Sequence, residues 1–261
     1  MNIKRVAIVE HSDKPGIERV KADLLDLLER RGLEVTADDP DLVVSLGGDG
    51  TMLRAAQFAH AQDVPLLGIN FGTLGYLTEV EAGDETVALE KVLAGDFTLD
   101  ERMMLRAECR DAEMAHVGLN EVLIERVSRQ RLVRLLVSVG GDRLAAFNAD
   151  GVLVATPTGS TAYALSAGGP IVSPRAHCMV LVPVSAHMIF SRPFVLAPDE
   201  IIEIEVDPNG EPAAFSLDGA IGGDIPAGAT VVVRRHFRPL LLIRLSGPGF
   251  VERLRTKLGL P

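Results

Sequence analysis

The chain is predicted to fold as an α/β N-terminal domain on a doubly wound sheet, followed by a mostly β C-terminal domain and a closing helix. Three observations carry this. Over residues 4–93, short apolar runs alternate with segments of helical period, the rhythm of a parallel sheet wound with helices. From Phe97 onward that period stops, and strand-like runs between turn residues replace it. The last segment, Phe250–Leu258 (FVERLRTKL), is helical in pattern again and is expected to return to the N-terminal domain. The domains are therefore drawn at 1–97, 98–248 and 249–261.

Composition bounds what the chain can do. With 47% hydrophobic residues, 4% aromatics and no Trp among 261 residues, the core must be aliphatic. A formal net charge of −10 argues against broad nucleic-acid binding and against docking on anionic membranes. Any phosphate must then be met by backbone dipoles, a few Lys or Arg side chains and Mg²⁺. Cys109 and Cys178 are the only cysteines, which predicts two buried thiols in a reducing compartment rather than a disulfide framework. No run approaches the ~18 consecutive apolar residues of a membrane span, and the apolar run in Met1–Glu10 is too short for a signal peptide. A cytoplasmic protein is expected.

Taken in order, Lys4–Glu10 reads as a buried strand. Ile17, Val20, Leu24, Leu27 and Leu28 recur at three- and four-residue spacing and predict a helix that stops at Gly32. Leu33–Ala37, Leu42–Leu46 and Pro65–Ile69 read as strands, with a helix through Ala59 between the last two and another over Asp84–Leu93. This is a Rossmann-like plan, in which ligands bind beyond the carboxyl ends of the strands. In the C-terminal part, strands are expected at Met104–Cys109, Glu121–Glu125, Leu132–Val139, Arg143–Phe147, Val152–Ala155, Met179–Pro183, Ile201–Val206, Val231–His236 and Leu240–Leu245. Ile202–Val206 alternates as a half-buried antiparallel strand should.

Two stretches carry the chemistry. Gly47-Gly48-Asp49-Gly50-Thr51 falls between the strand 42–46 and the following helix. Its glycines leave backbone N–H groups unobstructed, the helix offers its positive end to an anion, and Asp49 would sit beside whatever is cradled. Simple helix capping by Asp49 or Thr51 is the competing reading. A second loop, Asn70–Thr78 (NFGTLGYLT), leaves the next strand at the same sheet edge. Neither GxxxxGK[ST] nor GxGxxG occurs, which excludes the P-loop and the ordinary dinucleotide fingerprint. The other stretch is Asn148–Pro174, where Thr156, Thr158, Ser160, Thr161, Tyr163 and Ser166 supply six hydroxyls within eleven residues. Such a loop suits a multi-hydroxyl or phosphorylated ligand; a Ser- and Thr-rich turn is the alternative.

Lesser signals surround these. Asn120-Glu121 opens an apolar strand and offers an amide and a carboxylate suited to vicinal hydroxyls. Asp150 opens the hydroxyl-rich stretch, and Asp218-Gly219 reads as a turn. Arg126, Arg129, Arg131 and Arg134 form a basic cluster, read as a solvated face or subunit contact before a phosphate site. The six histidines show no HExxH or close pairing, and two cysteines make no zinc site. Ser160 lacks the Gly-x-Ser-x-Gly frame, so a serine hydrolase ranks last.

Together GGDGT (47–51), NFGTLGYLT (70–78), LNEVLIER (119–126), DGVLVATPTGSTAYALSAGGPIVSP (150–174) and PVSAHMIFSRP (183–193) resemble the ATP-NAD kinase family. GGDGT alone is shared with diacylglycerol-, sphingosine- and phosphofructokinase-type enzymes; the 156–170 stretch (TPTGSTAYALSAGGP) is far more specific. The resemblance implies a GGDGT-kinase type of α/β domain, a β-rich NAD-binding domain, and a homodimer or homotetramer. It implies transfer of the γ-phosphoryl group of ATP, with a divalent cation, to the adenosine 2′-hydroxyl of NAD; the sequence does not decide between ATP and inorganic polyphosphate as donor.

Carried over residue by residue, Asp49 is the base. Gly47, Gly48, Gly50 and Thr51 meet phosphates, with Mg²⁺ held through them. Asn120 and Glu121 hold ribose hydroxyls. Asp150, Thr158, Thr161, Ala162, Tyr163 and Ser166 line the NAD site, where Asp49, Gly50, Phe71 and Gly72 also contribute. Departures fall at Thr73, at His187, which follows Ala186 where many members have Pro-His, and at Met188-Ile189-Phe190. A GGDGT kinase for a lipid or sugar, and a non-catalytic NAD(P)-binding regulator, remain the alternatives.

Overall fold

A computed structural model of the chain describes residues 2–11, 14, 16–72, 75–186, 192–245, 247 and 249–260. Thr73 and His187–Phe190 thus lie outside the described residues. The chain forms two compact units, residues 1–102 with 240–261, and residues 103–239.

The first unit is a mostly parallel sheet. Its strands are β1 (Arg5–Glu10), β2 (Glu34–Val35), β3 (Leu42–Gly47), β4 (Leu66–Asn70), the short β5 (Val80–Glu81) and β6 (Thr98–Arg102), with a return strand, Leu240–Arg244, from late in the sequence. The order is β2-β1-β3-β4-return strand-β6, and β5 adds to the end of β4. Helices α1 (Ile17–Arg30), α2 (Asp49–Gln62) and α3 (Glu85–Ala94) connect the strands.

Alternation along β3 and β4 assigns the helices to opposite faces. Leu42, Val44, Leu46, Leu67 and Ile69 share a buried cluster with Leu24 and Leu28 of α1 and with Leu89 and Val92 of α3. The opposite face meets α2, because a Cβ at Gly68 would lie 2.5 Å from Met52 Sδ. A sheet wound on both faces explains why β3 and β4 are apolar throughout rather than alternating.

Residues 98–102 and 240–244, expected in the second domain, instead pair with one another antiparallel, from Leu240 opposite Arg102 to Arg244 opposite Thr98. Charge accompanies this register. Asp100 Oδ2 accepts from Arg102 Nη2 at 2.6 Å and from Arg244 Nε at 3.2 Å. The expected strand 33–37 shrinks to two exposed residues, Glu34 and Val35. The C-terminal helix, Phe250–Leu258, belongs to this unit.

The second unit is a sandwich of two six-stranded sheets. One runs 142–149, 133–139, 202–206, 230–235, 105–109, 114–118; the other runs 194–196, 179–184, 151–155, 121–126, 213–217, 220–225. Inward residues of both, including Leu135, Phe147, Ile204 and Val231 against Val122, Ile124, Val154 and Phe215, form one core. Strand 151–155 is buried on both faces. Its outward residues Leu153 and Ala155 pack with Val180, Val182 and Ala164, so the hydroxyl-rich segment folds over the outer face of this sheet. The strands at 114–118, 194–196, 213–217 and 220–225 were not expected from the sequence. Those at 114–118, 194–196 and 220–225 are short or glycine-containing, and 213–217 alternates in burial but is built largely of small residues of little hydrophobic contrast. Of the two thiols, Cys109 is buried, whereas Cys178 is only half-buried, short of the burial expected for both. No described helix is long and apolar enough to cross a membrane.

Candidate active site

In the first unit, a cavity of about 780 Å³ opens at the carboxyl ends of β3 and β4. Gly48, Asp49, Gly50, Thr51, Phe71 and Gly72 line it, all singled out from the sequence. Gly47 does not; a Cβ there would strike Thr51 Oγ1 at 2.2 Å, so this glycine lets α2 approach its strand. Four further residues on the lining were missed: His11, Lys14, Arg54 and Lys257. Only Arg54, one helical turn beyond GGDGT, carried a local signal that could have found it.

Helix α2 begins at Asp49 with Gly48 as its N-cap, and no side chain caps it. Asp49 instead turns its carboxylate to the neighbouring loop. Its Oδ2 accepts from Tyr76 N–H at 3.1 Å and its Oδ1 from Leu77 N–H at 3.2 Å. The capping alternative is thereby set aside, and the first N–H groups of α2 face the cavity with the positive end of the helix dipole behind them. Lys14 Nζ donates to Phe71 O at 2.7 Å, and Asn70 Nδ2 donates to Gly72 O at 3.0 Å. These bonds fix the loop that leaves β4, where Gly72 sits at φ +114°. Among the described residues, one carboxylate amid cations and a helix N-terminus is an arrangement for anions.

In the second unit, Asn120 and Glu121 are held by Asp218. Its carboxylate accepts from Leu119 N–H and Asn120 N–H, each at 2.7 Å, and from Glu121 N–H at 3.1 Å. The sequence suggested only a turn at Asp218. The residue does adopt φ +50°, but its side chain ties together backbone almost a hundred residues earlier. Thr156 clamps the same turn, donating to Leu119 O at 2.6 Å and accepting from Gly159 N–H at 3.0 Å. Gly159 is pressed so closely on it that a Cβ would fall 2.1 Å from Asn120 O.

The six hydroxyls therefore divide. Thr156 and Ser160 are structural. Ser160 is fully buried, donates to Pro157 O at 2.7 Å and accepts from Val172 N–H at 3.0 Å, which removes it as a nucleophile. Thr158 is buried as well, and Thr161 Oγ1 donates to Thr158 O at 3.3 Å. Tyr163 and Ser166 are exposed, and Ala162 is half-buried beside them. Asp150 pairs with Arg126 Nε at 2.6 Å. Arg131 pairs with Glu211, and Arg134 with Asp207 at 3.0 Å, so most of the basic cluster is matched by carboxylates of its own unit.

Glu121 is the unusual group here. It is buried, and its Oε2 has no hydrogen-bond partner among the described residues. Burial, reinforced by the Asp218 carboxylate, pushes its carboxyl from 4.5 up to about 8. A proton held in the folded protein and released by the unfolded chain makes stability fall as pH rises between those two values, with no contribution to the slope outside them. Glu121→Gln is expected to flatten the decline of Tm between about pH 4.5 and 8. Calorimetric scans of both proteins check this, and parallel Tm profiles would show that Glu121 ionises as freely folded as unfolded.

The model of the ATP-NAD kinase N-terminal domain matches residues 12–97, and that of the C-terminal domain matches residues 119–245. The chain belongs to the ATP-NAD kinase family. Among curated members, it is 38% identical to a NAD kinase of Syntrophotalea carbinolica, over 98% of this chain and 99% of the relative. It is 37% identical to a NAD kinase of Gemmatimonas aurantiaca, over 98% and 96%. Two solved structures share its fold. A NAD kinase from Archaeoglobus fulgidus in complex with ATP superposes with a TM-score of 0.76 at 26% identity, covering 98% of this chain and 97% of that one. Yeast NADH kinase complexed with NADH gives a TM-score of 0.91 at 23% identity, over 99% and 88%.

Proposed function

We infer that the chain carries out the reaction of its family, transfer of the γ-phosphoryl group of ATP to the 2′-hydroxyl of the adenosine ribose of NAD, giving NADP. One observation carries the assignment of roles: Asp49 stands at the positive end of α2, held on both carboxylate oxygens, in a cavity whose lining also includes Lys14, Arg54 and Lys257.

Phosphoryl transfer asks the protein mainly for alignment and for neutralisation of charge. In this reading the N–H groups at Gly48–Gly50 and the three cations hold the donor phosphates, and Asp49 accepts the proton of the 2′-hydroxyl. Asn120 and Glu121 hold ribose hydroxyls. A neutral Glu121 carboxyl both donates and accepts, which matches the chemistry of a hydroxyl. Tyr163, Ser166, Ala162, Thr161, Thr158 and Asp150 contribute the remaining contacts to NAD.

The residues fit Mg²⁺ of the kind this chemistry uses, held by one or two carboxylates and otherwise by substrate phosphates. Among the described residues, Asp49 is the one carboxylate on the cavity lining. When bound, the ion would neutralise charge on the transferring phosphoryl group. The same reading takes the chain as a cytoplasmic homodimer or homotetramer.

The test is direct: purified protein, NAD⁺, ATP and Mg²⁺, with NADP⁺ read by an NADP-specific dehydrogenase. Product is expected, and arms with NADH and with polyphosphate then assign acceptor and donor. No product in any arm, with NAD⁺ still bound in calorimetry, would make the chain a sensor. No product and no binding would point to a lipid or sugar acceptor.

A further inference from the structure

The C-terminal helix is mostly exposed, yet its Arg253 is 3% exposed. The guanidinium is spent on one short loop. Its Nη1 donates to Gly75 O at 3.2 Å and to Thr78 O, and its Nη2 to Glu79 Oε2 at 2.9 Å. Glu79 is equally buried. Its Oε2 also takes Arg244 Nη1 at 2.8 Å, and its Oε1 takes Leu245 N–H at 2.9 Å. A buried charge survives only when paired and hydrogen-bonded, as these are.

Between the anchored Gly75 and Thr78 lie Tyr76 and Leu77, whose N–H groups are the two that hold Asp49. There is no slack at the contact: a Cβ at Gly75 would lie 2.2 Å from Asp49 Oδ1. The path from helix to carboxylate is thus one side chain, two carbonyls and two N–H groups.

We propose that Arg253 is a positioning residue for phosphoryl transfer, fixing the carbonyls on either side of Tyr76-Leu77 so that their N–H groups hold the Asp49 carboxylate toward the cavity. This makes the C-terminal helix part of the reaction's machinery, and it rests on Asp49 being the base. Lysine cannot substitute. Its donors radiate from one atom, whereas the planar fork of arginine reaches carbonyl and carboxylate acceptors at once.

Arg253→Lys in the full chain is the test. The expected result is a kcat lowered about 10–100-fold, with the NAD⁺ dissociation constant from calorimetry within about twofold of wild type. Hydrogen exchange at the Tyr76 and Leu77 amides should accelerate about tenfold or more while that of Leu66–Asn70 is unchanged. A kcat within about twofold of wild type, or acceleration that spreads equally through Leu66–Asn70, overturns the proposal.

Should the variant fail to fold, the wild type decides. Across a urea series, Tyr76 and Leu77 should lose protection together with Arg253–Lys257, and independent opening rejects the link. A wild type that makes no NADP⁺ would sink the assigned reaction instead, and the exchange measurements would still judge whether Arg253 holds Asp49 in place.

Discussion

Asp49→Asn is expected to lower kcat for NADP⁺ formation by about 10²–10⁴-fold, the usual worth of a positioned general base, while NAD⁺ binding measured by calorimetry stays within a few-fold of wild type. The substitution is nearly isosteric. One oxygen remains to accept from Tyr76 or Leu77 N–H, but an amide nitrogen then faces the other, and the group no longer takes a proton from a hydroxyl. A rate near that of wild type would remove Asp49 from the role of base and leave it as a brace for the loop at 75–79. A parallel loss of NAD⁺ binding would instead mean that the carboxylate serves chiefly to hold the substrate.

Asp218→Ala is the other large effect. Three N–H groups, of Leu119, Asn120 and Glu121, lose a carboxylate acceptor within a largely buried turn. A hydrogen bond to a charged group is worth about 1.5–3 kcal/mol, and a buried donor left without a partner adds its own penalty. The backbone that aims Asn120 and Glu121 therefore relaxes, and kcat/KM for NAD⁺ is expected to fall by about 10²-fold or more. Asp218→Asn, which keeps one acceptor oxygen, should fall between. If alanine at this position leaves kcat/KM and Tm unchanged, pairing of strand 121–126 with its neighbours holds the turn unaided.

These two aspartates mark what could and could not be read from the sequence. Asp49 was legible because its chemistry is local: glycines, a strand before it and a helix after it. Asp218 was not, because the groups it serves lie in another part of the chain and its own surroundings spell only a turn. The same contrast divides the hydroxyl-rich stretch. Composition predicted a polar loop, but which hydroxyls face inward is set by partners such as Leu119 O and Val172 N–H. Strand periods gave most elements of the first unit and the buried strands of the second. They missed 213–217, where Ala213, Ala214 and Ser216 give the alternation little hydrophobic contrast, and 220–225, where two glycines interrupt it. Lys14 and Lys257 carried no signal, since a lone lysine on a cavity wall resembles any surface lysine.

The return strand has a consequence for how the molecule is made. On the ribosome, β4 and β6 emerge early, but the strand that lies between them is synthesised only after the whole second unit. Until then β4, covered by β5 only at Ile69–Asn70, leaves its Leu66 end as an apolar, unpaired edge, the kind of template that invites association with other chains. The second unit, whose strands are continuous in sequence, is free to close its sandwich first. Completing the first sheet then means closing a very long loop, but loop entropy grows only logarithmically with length, and a folded sandwich in the middle shortens the flexible path. The unit that begins to be built first is the one that is finished last.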